Sequence, residues 1–132
     1  MLHGAISLYR VKMIKVLLEL DKPNKNGRIY TKEVMREAIA KYGEKLSRFG
    51  ELGYGEDSHI NIDRISHKVN FLYIKENQVL ADISLLGTPC GKIAKALPDF
   101  NIGPRGLGKF AEDGITLQSY EFISIDIVQP DN

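Results

Sequence analysis

Residues 101–109 read N-I-G-P-R-G-L-G-K, with three glycines and one proline around a single arginine, Arg105. Glycine permits positive φ angles and lets other groups approach the backbone closely. Successive peptide N–H groups in such a loop can converge on an anion. We therefore predict a loop over residues 103–108, and two interpretations are open. One is a tight connection between core strands, which the frequent use of Gly and Pro in turns favours. The other is a cradle for a carboxylate, phosphate or oxyanion.

Length and composition indicate one globular domain. The chain has 132 residues and is 43% hydrophobic, so we predict a single domain over residues 1–132. Residues 1–10 are interpreted as an N-terminal extension, and Met13 is an alternative to Met1 as the natural start. The formal net charge of +1 gives no bulk electrostatic case for nucleic acid or an acidic membrane, although a local basic patch stays open. No apolar run has transmembrane length, and the N-terminus lacks a secretory signal pattern.

The hydrophobic pattern predicts a mixture of strands and helices. Apolar and alternating runs predict strands over residues 11–20, 64–74, 79–86 and 115–128, the last as a strand pair or one bent strand. Thr31 as N-cap predicts a helix over residues 32–46, and Thr88 with Pro89 predicts a shorter helix over residues 89–97. Residues 48–62 are interpreted as a long loop, a kind of segment that often carries function.

This order predicts an α+β domain with a mostly antiparallel, barrel-like sheet flanked by one long and one short helix. Ile123, Ile125 and Ile127 alternate with residues that are themselves partly apolar, so both faces of this strand need cover. A closed or nearly closed barrel with helices outside provides that cover. The residues expected to pack between helix and sheet are Val34, Ala38, Ile39, Ile83 and Ile125.

Several side chains are candidates for chemistry. Asp126 lies inside I-S-I-D-I-V, where a carboxylate is costly unless it is paired. It either reaches solvent or a structural arginine, or it orients a histidine. His59 and His67 are candidate bases, although structural roles are more common. Cys90 starts a predicted helix, which could lower its pKa, but burial as a small hydrophobe is the simpler role. The spacing of His, Cys and Asp indicates no metal site.

The order of several segments resembles the head-maturation (prohead) protease family of tailed bacteriophages, which shares a fold with herpesvirus assembly proteases. The segments are N-K-N-G-R-I-Y at 24–30, G-E-L at 50–52, I-D-R-I-S-H-K-V at 62–69, G-T-P-C-G-K-I at 87–93, G-P-R-G-L-G at 103–108 and S-I-D-I-V at 124–128. The resemblance covers roughly residues 12–130, and the order and spacing are more specific than any one motif.

The resemblance implies a serine protease site with two substituted members. The family histidine lies in G-E-L-x-H-P, and the aligned residue here is Tyr54, followed by Gly55 instead of proline. The family serines lie in G-[VI]-S-S-R-G-x-G, and here Gly103 and Pro104 are aligned with them. Asp126 aligns with the third triad member. We call Tyr54, Gly103, Pro104 and Asp126 the triad positions. The family residues that are retained in the glycine-rich motif are Arg105, Gly106 and Gly108.

Nucleophilic hydrolysis needs a hydroxyl or thiol beside a base, and the triad positions offer neither. The resemblance therefore implies a phage-encoded pseudoenzyme without metal or cofactor, acting in the host cytoplasm or inside the prohead. Its expected partners are scaffold, capsid or protease subunits. A homodimer or a higher assembly is expected because the related herpesvirus assembly proteases pair through a helix.

Two alternatives stay open. In the first, Ser58 and His59 have taken over the catalytic roles in an active assembly protease. In the second, the old cleft holds a small anion or nucleotide, as in a counter-defence protein. Its candidate ligands are Gly103, Arg105, Gly106, Gly108, Lys109 and His59. In either case we expect the triad positions to converge, with Asp126 bound by the Tyr54 hydroxyl or the Arg105 guanidinium.

Overall fold

A computed structural model describes residues 11–55 and 58–130. The strands are β1 (Val11–Glu19), β2 (Phe49–Glu51), β3 (Ile65–Lys75), β4 (Gln78–Leu85), β5 (Asn101–Phe110) and β6 (Leu117–Val128). The helices are α1 (Lys32–Gly43) and α2 (Pro89–Ala96), with a 3₁₀ turn at Ile62–Arg64. The proposed extension over residues 1–10 lies outside the described residues. Met13 lies within β1, opposite Ile83 of β4.

The strands form two antiparallel sheets. One has four strands in the order β1-β4-β3-β2, and the other pairs β5 with β6. The predicted α+β class with antiparallel pairing is confirmed. The described strands form no closed barrel, since they belong to two separate sheets, and the nearly closed alternative is not confirmed. The two sheets meet at a parallel bridge between Leu52, just after β2, and Ile127 of β6. Beside this bridge, the Gly53 N–H donates to the Ile127 carbonyl at 2.6 Å.

Both faces of β6 are covered, but not by the closure of a barrel. Ser124, Ile125, Asp126 and Ile127 are all buried, as the continuous pattern predicted. Helix α1 and the short strand β2 both pack against β6. A helix and a neighbouring sheet edge therefore provide the cover that the sequence pattern required, without closing a barrel.

Helix α1 begins as predicted and ends early. The Thr31 hydroxyl accepts a hydrogen bond from the Val34 N–H at 3.2 Å. The helix ends at Gly43 instead of residue 46, because Leu46 is fully exposed and a longer helix would bury nothing more. Its buried residues are Met35, Ala38 and Tyr42, whereas Val34 and Ile39 are only half-buried.

The inner face of β4 and the short helix match their predictions. Val79, Ala81, Ile83 and Leu85 are at most 1% exposed and form the centre of the core. Helix α2 begins where the Thr88 hydroxyl accepts from the Gly91 N–H at 3.0 Å and ends at Ala96. The same hydroxyl donates to the Ile65 carbonyl at 2.5 Å, which ties α2 to the start of β3.

The predicted loop over residues 103–108 is wrong, because this stretch lies inside β5. Gly103 lies opposite Asp126 and Pro104 opposite Ile125. In the part of the chain that the structure describes, the glycines with positive φ are Gly27, Gly53 and Gly114, so the β5 glycines do not form an anion cradle.

The β5 glycines instead permit close approach by other groups. A Cβ on Gly106 would overlap the Tyr120 phenol and the Glu121 carbonyl. Similarly, the predicted long loop over residues 48–62 contains β2, in which Gly50 lies opposite His67 of β3. The C-terminal run is one bulged strand, not a strand pair.

Candidate functional site

Asp126 is the buried centre of the site. It lies on β6 with no exposed surface. The Ser124 hydroxyl donates to its Oδ1 at 2.6 Å, and the Glu51 N–H donates to the same oxygen at 3.1 Å. The Gly55 N–H donates to Oδ2 at 3.3 Å. Three donors, one on β6 itself and two from the stretch of residues 51–55, therefore satisfy this carboxylate before any charge partner is considered.

The charge partner of Asp126 is Arg105. Its Nε donates to Asp126 Oδ2 at 3.0 Å, and one terminal nitrogen donates to Glu51 Oε2 at 2.8 Å. The other terminal nitrogen donates to the His59 carbonyl at 2.8 Å. Burial lowers the pKa of Arg105, but the hydrogen bonds and charges of Asp126 and Glu51 outweigh burial and raise it above its usual value. The predicted partners of Asp126 were the Tyr54 hydroxyl and the Arg105 guanidinium, and the guanidinium binds it through a charge-assisted hydrogen bond.

Glu51 is a member of this site that the sequence analysis missed. It is 1% exposed, accepts from the Asn61 N–H at 3.0 Å, and lies 3.5 Å from the Nε of Arg64. Two arginines thus neutralise two buried carboxylates. In the sequence, the only sign of this role was an acid inside the otherwise apolar G-E-L segment. Its partner Arg105 is 54 residues away along the chain, so the pairing could not be read from spacing. We call Arg105, Asp126, Glu51 and Arg64 the ion network.

Tyr54 lies against Gly103, and the two residues share one space. A Cβ on Gly103 would overlap the Tyr54 hydroxyl. A side chain at residue 103 and the present position of the Tyr54 ring therefore exclude one another. Tyr54 is 60% exposed, so much of its ring remains accessible. Pro104, the remaining triad position, is half-buried beside it on the cleft wall.

His67 is a buried structural histidine in this geometry. Its Nε2 lies 2.7 Å from the Ile125 carbonyl, and its Nδ1 lies 2.8 Å from the Ser66 hydroxyl. A neutral ring that donates from Nε2 and accepts at Nδ1 satisfies both contacts. Burial lowers the pKa of His67, against smaller raising effects of the Ile125 carbonyl and the Asp126 charge. With no exposed surface, neither His67 nor Ser66 can reach a substrate.

The other candidates lie apart from the ion network. Ser58, His59 and Lys109 are exposed, although the His59 carbonyl is bound by Arg105. Cys90 is half-buried and its thiol donates to the Asp63 carbonyl at 3.7 Å. Within residues 11–55 and 58–130, no group of three or more His, Cys, Asp or Glu side chains has the arrangement of a metal site.

These elements together form the fold of a phage capsid assembly protease. The solved structure of the bacteriophage T4 capsid assembly protease, gp21, is similar to this chain with a TM-score of 0.78. The match covers 91% of this chain and 82% of that chain at 19% sequence identity, so it demonstrates a shared fold. The resemblance found in the sequence is confirmed at that level. No family model and no curated protein sequence matches the chain.

Replacing the central arginine should destabilise the protein strongly. Arg105→Met leaves two buried carboxylates without their shared cation, and breaking such a pair costs about 3–5 kcal/mol. Urea denaturation measures this loss in unfolding free energy. Arg36→Met, on the exposed face of α1, is the control and should change it by less than about 0.5 kcal/mol. Adding Glu51→Gln and Asp126→Asn to Arg105→Met should recover part of the loss, whereas a further loss would contradict this account.

The shared space of Tyr54 and Gly103 predicts an energetic coupling. Gly103→Ala should lower the unfolding free energy by about 1–3 kcal/mol, because the new methyl group overlaps the Tyr54 hydroxyl. The same change in a Tyr54→Leu background should cost less, with a coupling of at least about 0.5 kcal/mol in a double-mutant cycle. Gly43→Ala is the control, since a Cβ there meets nothing within 4 Å. Additive effects at residues 54 and 103 would refute the shared space.

The buried neutral His67 predicts a loss of stability in acid. Its pKa is lowered in the folded state, so its contribution is complete above the unfolded pKa of about 6.5. Below that pH the unfolded chain binds more protons, and stability should fall by up to about 1.4 kcal/mol per pH unit. Denaturation at pH 7.5, 6.5 and 5.5 should show a smaller decline in His67→Gln than in the parent. The exposed His59→Gln should follow the parent, and parallel curves for all three proteins would contradict the assignment.

Proposed function

We propose that this protein is a non-catalytic relative of the phage capsid assembly protease and acts by binding during head assembly. The proposal rests on the side chains found at and around the triad positions. Arg105 holds Asp126 and Glu51, while the Tyr54 hydroxyl fills the space beside Gly103. The similarity in fold to gp21 supports the connection with the head.

The chemistry of the triad positions supports a loss of catalysis. Glycine and proline carry no nucleophile, and tyrosine, with a pKa near 10, is a poor general base at neutral pH. Asp126 accepts hydrogen bonds from four residues, through the side chains of Ser124 and Arg105 and the backbone N–H groups at residues 51 and 55, so it is committed to the ion network. Loss of either base or nucleophile removes most of a triad's rate enhancement, and here both are replaced.

The relocated pair Ser58 and His59 receives little support from the geometry. Both residues are exposed, and no hydrogen bond joins their side chains to one another or to a carboxylate in the described part of the chain. A catalytic triad loses most of its rate when its members are misplaced by about 1 Å. Within residues 11–55 and 58–130, this exposed pair has no hydrogen-bonded acid to orient the imidazole, which the mechanism needs.

The proposed partners are scaffold, capsid or protease subunits, met in the host cytoplasm or inside the prohead. The shared fold with a capsid assembly protease supports partners of this class, and a symmetric homodimer is proposed as well. None of the helices in the described ranges is long and apolar enough to cross a membrane.

A serine-directed phosphonate probe tests the absence of catalysis. Intact-mass spectrometry should show no labelling of the purified protein, while an active serine protease treated in parallel is labelled fully. Incubation with phage head proteins should yield no fragments. Stoichiometric labelling that disappears in both Ser58→Ala and His59→Ala would establish the relocated pair instead.

Calorimetry tests the binding role. The protein should bind a purified scaffold or capsid protein from the same phage, and no heat with either protein would count against the proposal.

A further inference from the structure

A second feature of the molecule is a basic groove beside the triad positions. The groove has a volume of about 960 Å³ and runs between the segment of residues 22–30 and the start of β5. Gly103, Pro104 and Tyr54 form part of its wall. Its volume lies within the range of known ligand sites. Nothing in the proposed head-assembly role requires such a groove.

The groove concentrates positive charge in a chain whose net charge is only +1. Lys22, Lys25 and Arg28 line it, and Glu19 is the acidic residue among its lining. Glu19 lies 3.8 Å from Lys22 with both side chains largely exposed, which is a weak surface pair. Among the described lining residues, three basic side chains therefore stand against one acidic side chain, which favours an anion. Arg105 adds little here, since the two carboxylates of the ion network already neutralise it.

The cations lie on a segment that is held in one conformation. The Asn24 side chain accepts from the N–H groups of Asn26 and Arg28, each at 2.9 Å, and the Asn24 N–H donates to the Arg28 carbonyl at 2.8 Å. Gly27 has a φ of 81°, as this tight turn requires. The Leu117 N–H then donates to the Ile29 carbonyl at 2.9 Å, which fixes the segment to β6. A preformed arrangement of cations binds an anion with a smaller entropy cost.

Aromatic rings accompany the cations. Tyr54, 60% exposed, lines this groove and also an adjoining groove of about 480 Å³. The adjoining groove is lined by Phe110 and Tyr120, and Arg28 lies between the two grooves with its guanidinium 5.7 Å from the Phe110 ring centre. An exposed ring that lines both grooves, together with three cations in the lining of the larger groove, is the combination that binds stacked bases and phosphates.

We propose that the groove binds nucleotide units, with phosphate held by Lys22, Lys25 and Arg28 and a base stacked on Tyr54. This site differs from the anion cradle expected at residues 103–108, although Gly103 and Pro104 form part of its wall. The same chemistry is present in a free mononucleotide and in a single strand of nucleic acid. The adjoining groove provides room for a second unit, so both sources are tested.

Fluorescence anisotropy with labelled ten-nucleotide oligothymidine, at 50 and 200 mM NaCl, tests the proposal on the full chain. The variant Lys22→Glu/Lys25→Glu should weaken binding at least about 10-fold and flatten the log–log salt dependence by about 1.4, the value for two lost phosphate contacts. Lys12→Glu/Lys68→Glu is the matched control. It changes the net charge equally on exposed residues of β1 and β3 that do not line the groove, and it should bind within about 2-fold of the parent. Tyr54→Leu should weaken binding about 5- to 150-fold.

The outcomes separate the alternatives. Displacement of the oligonucleotide by thymidine monophosphate indicates a site for one unit, and resistance to displacement indicates a strand site; both support the proposal. Equal weakening by both charge variants would show nonspecific attraction and overturn it. Absence of binding at 50 mM salt would also overturn it, as would tight binding of a poly-glutamate peptide in place of the oligonucleotide. Circular dichroism of each variant confirms folding. The head-protein calorimetry can succeed or fail independently of this result.

Discussion

The structure depends on a buried guanidinium that neutralises two buried carboxylates. Arg105 comes from β5, Asp126 from β6 and Glu51 from β2, so this one side chain joins both sheets. Removing charges from water costs several kcal/mol per ion, and the cost is offset only where geometry and extra hydrogen bonds are good. Here backbone N–H groups of Glu51, Gly55 and Asn61 and the Ser124 hydroxyl supply those bonds. The ion network therefore fixes the segment after β2 against the second sheet.

The same network determines what the cleft can do. A carboxylate that orients a histidine needs an imidazole within reach, but the buried His67 uses its two ring nitrogens on Ser66 and Ile125. The Tyr54 hydroxyl fills the space beside Gly103, so these two residues, far apart in sequence, are physically linked.

Much of the fold follows from local sequence signals. The Thr31 and Thr88 caps, the apolar face of β4 and the antiparallel order were predictable because each depends on residues close together in sequence. The glycines at residues 103–108 were misread because glycine is used both for positive φ and for close approach, and composition does not distinguish the two. Their role became visible only with the Tyr54 and Tyr120 side chains placed against them.

The site was predictable only in part for a related reason. Asp126 and Arg105 were found through motif positions. The roles of Glu51 and of the cations in the segment of residues 22–30 depend on contacts that no spacing rule reveals. The closed barrel was expected for a similar reason. A strand with two apolar faces must be covered on both sides, but the pattern does not show whether a helix or a strand provides the cover.

The most direct test of the central claim is the ¹⁵N-edited NMR signal of the Arg105 Nε–H, assigned by its absence in Arg105→Lys. If Arg105 holds Asp126 as described, this proton should exchange with water much more slowly than the Nε–H of the exposed Arg36, and Asp126→Asn should accelerate its exchange. Exchange as fast as that of Arg36, unaffected by Asp126→Asn, would show that the carboxylate is available for another partner and would contradict the account.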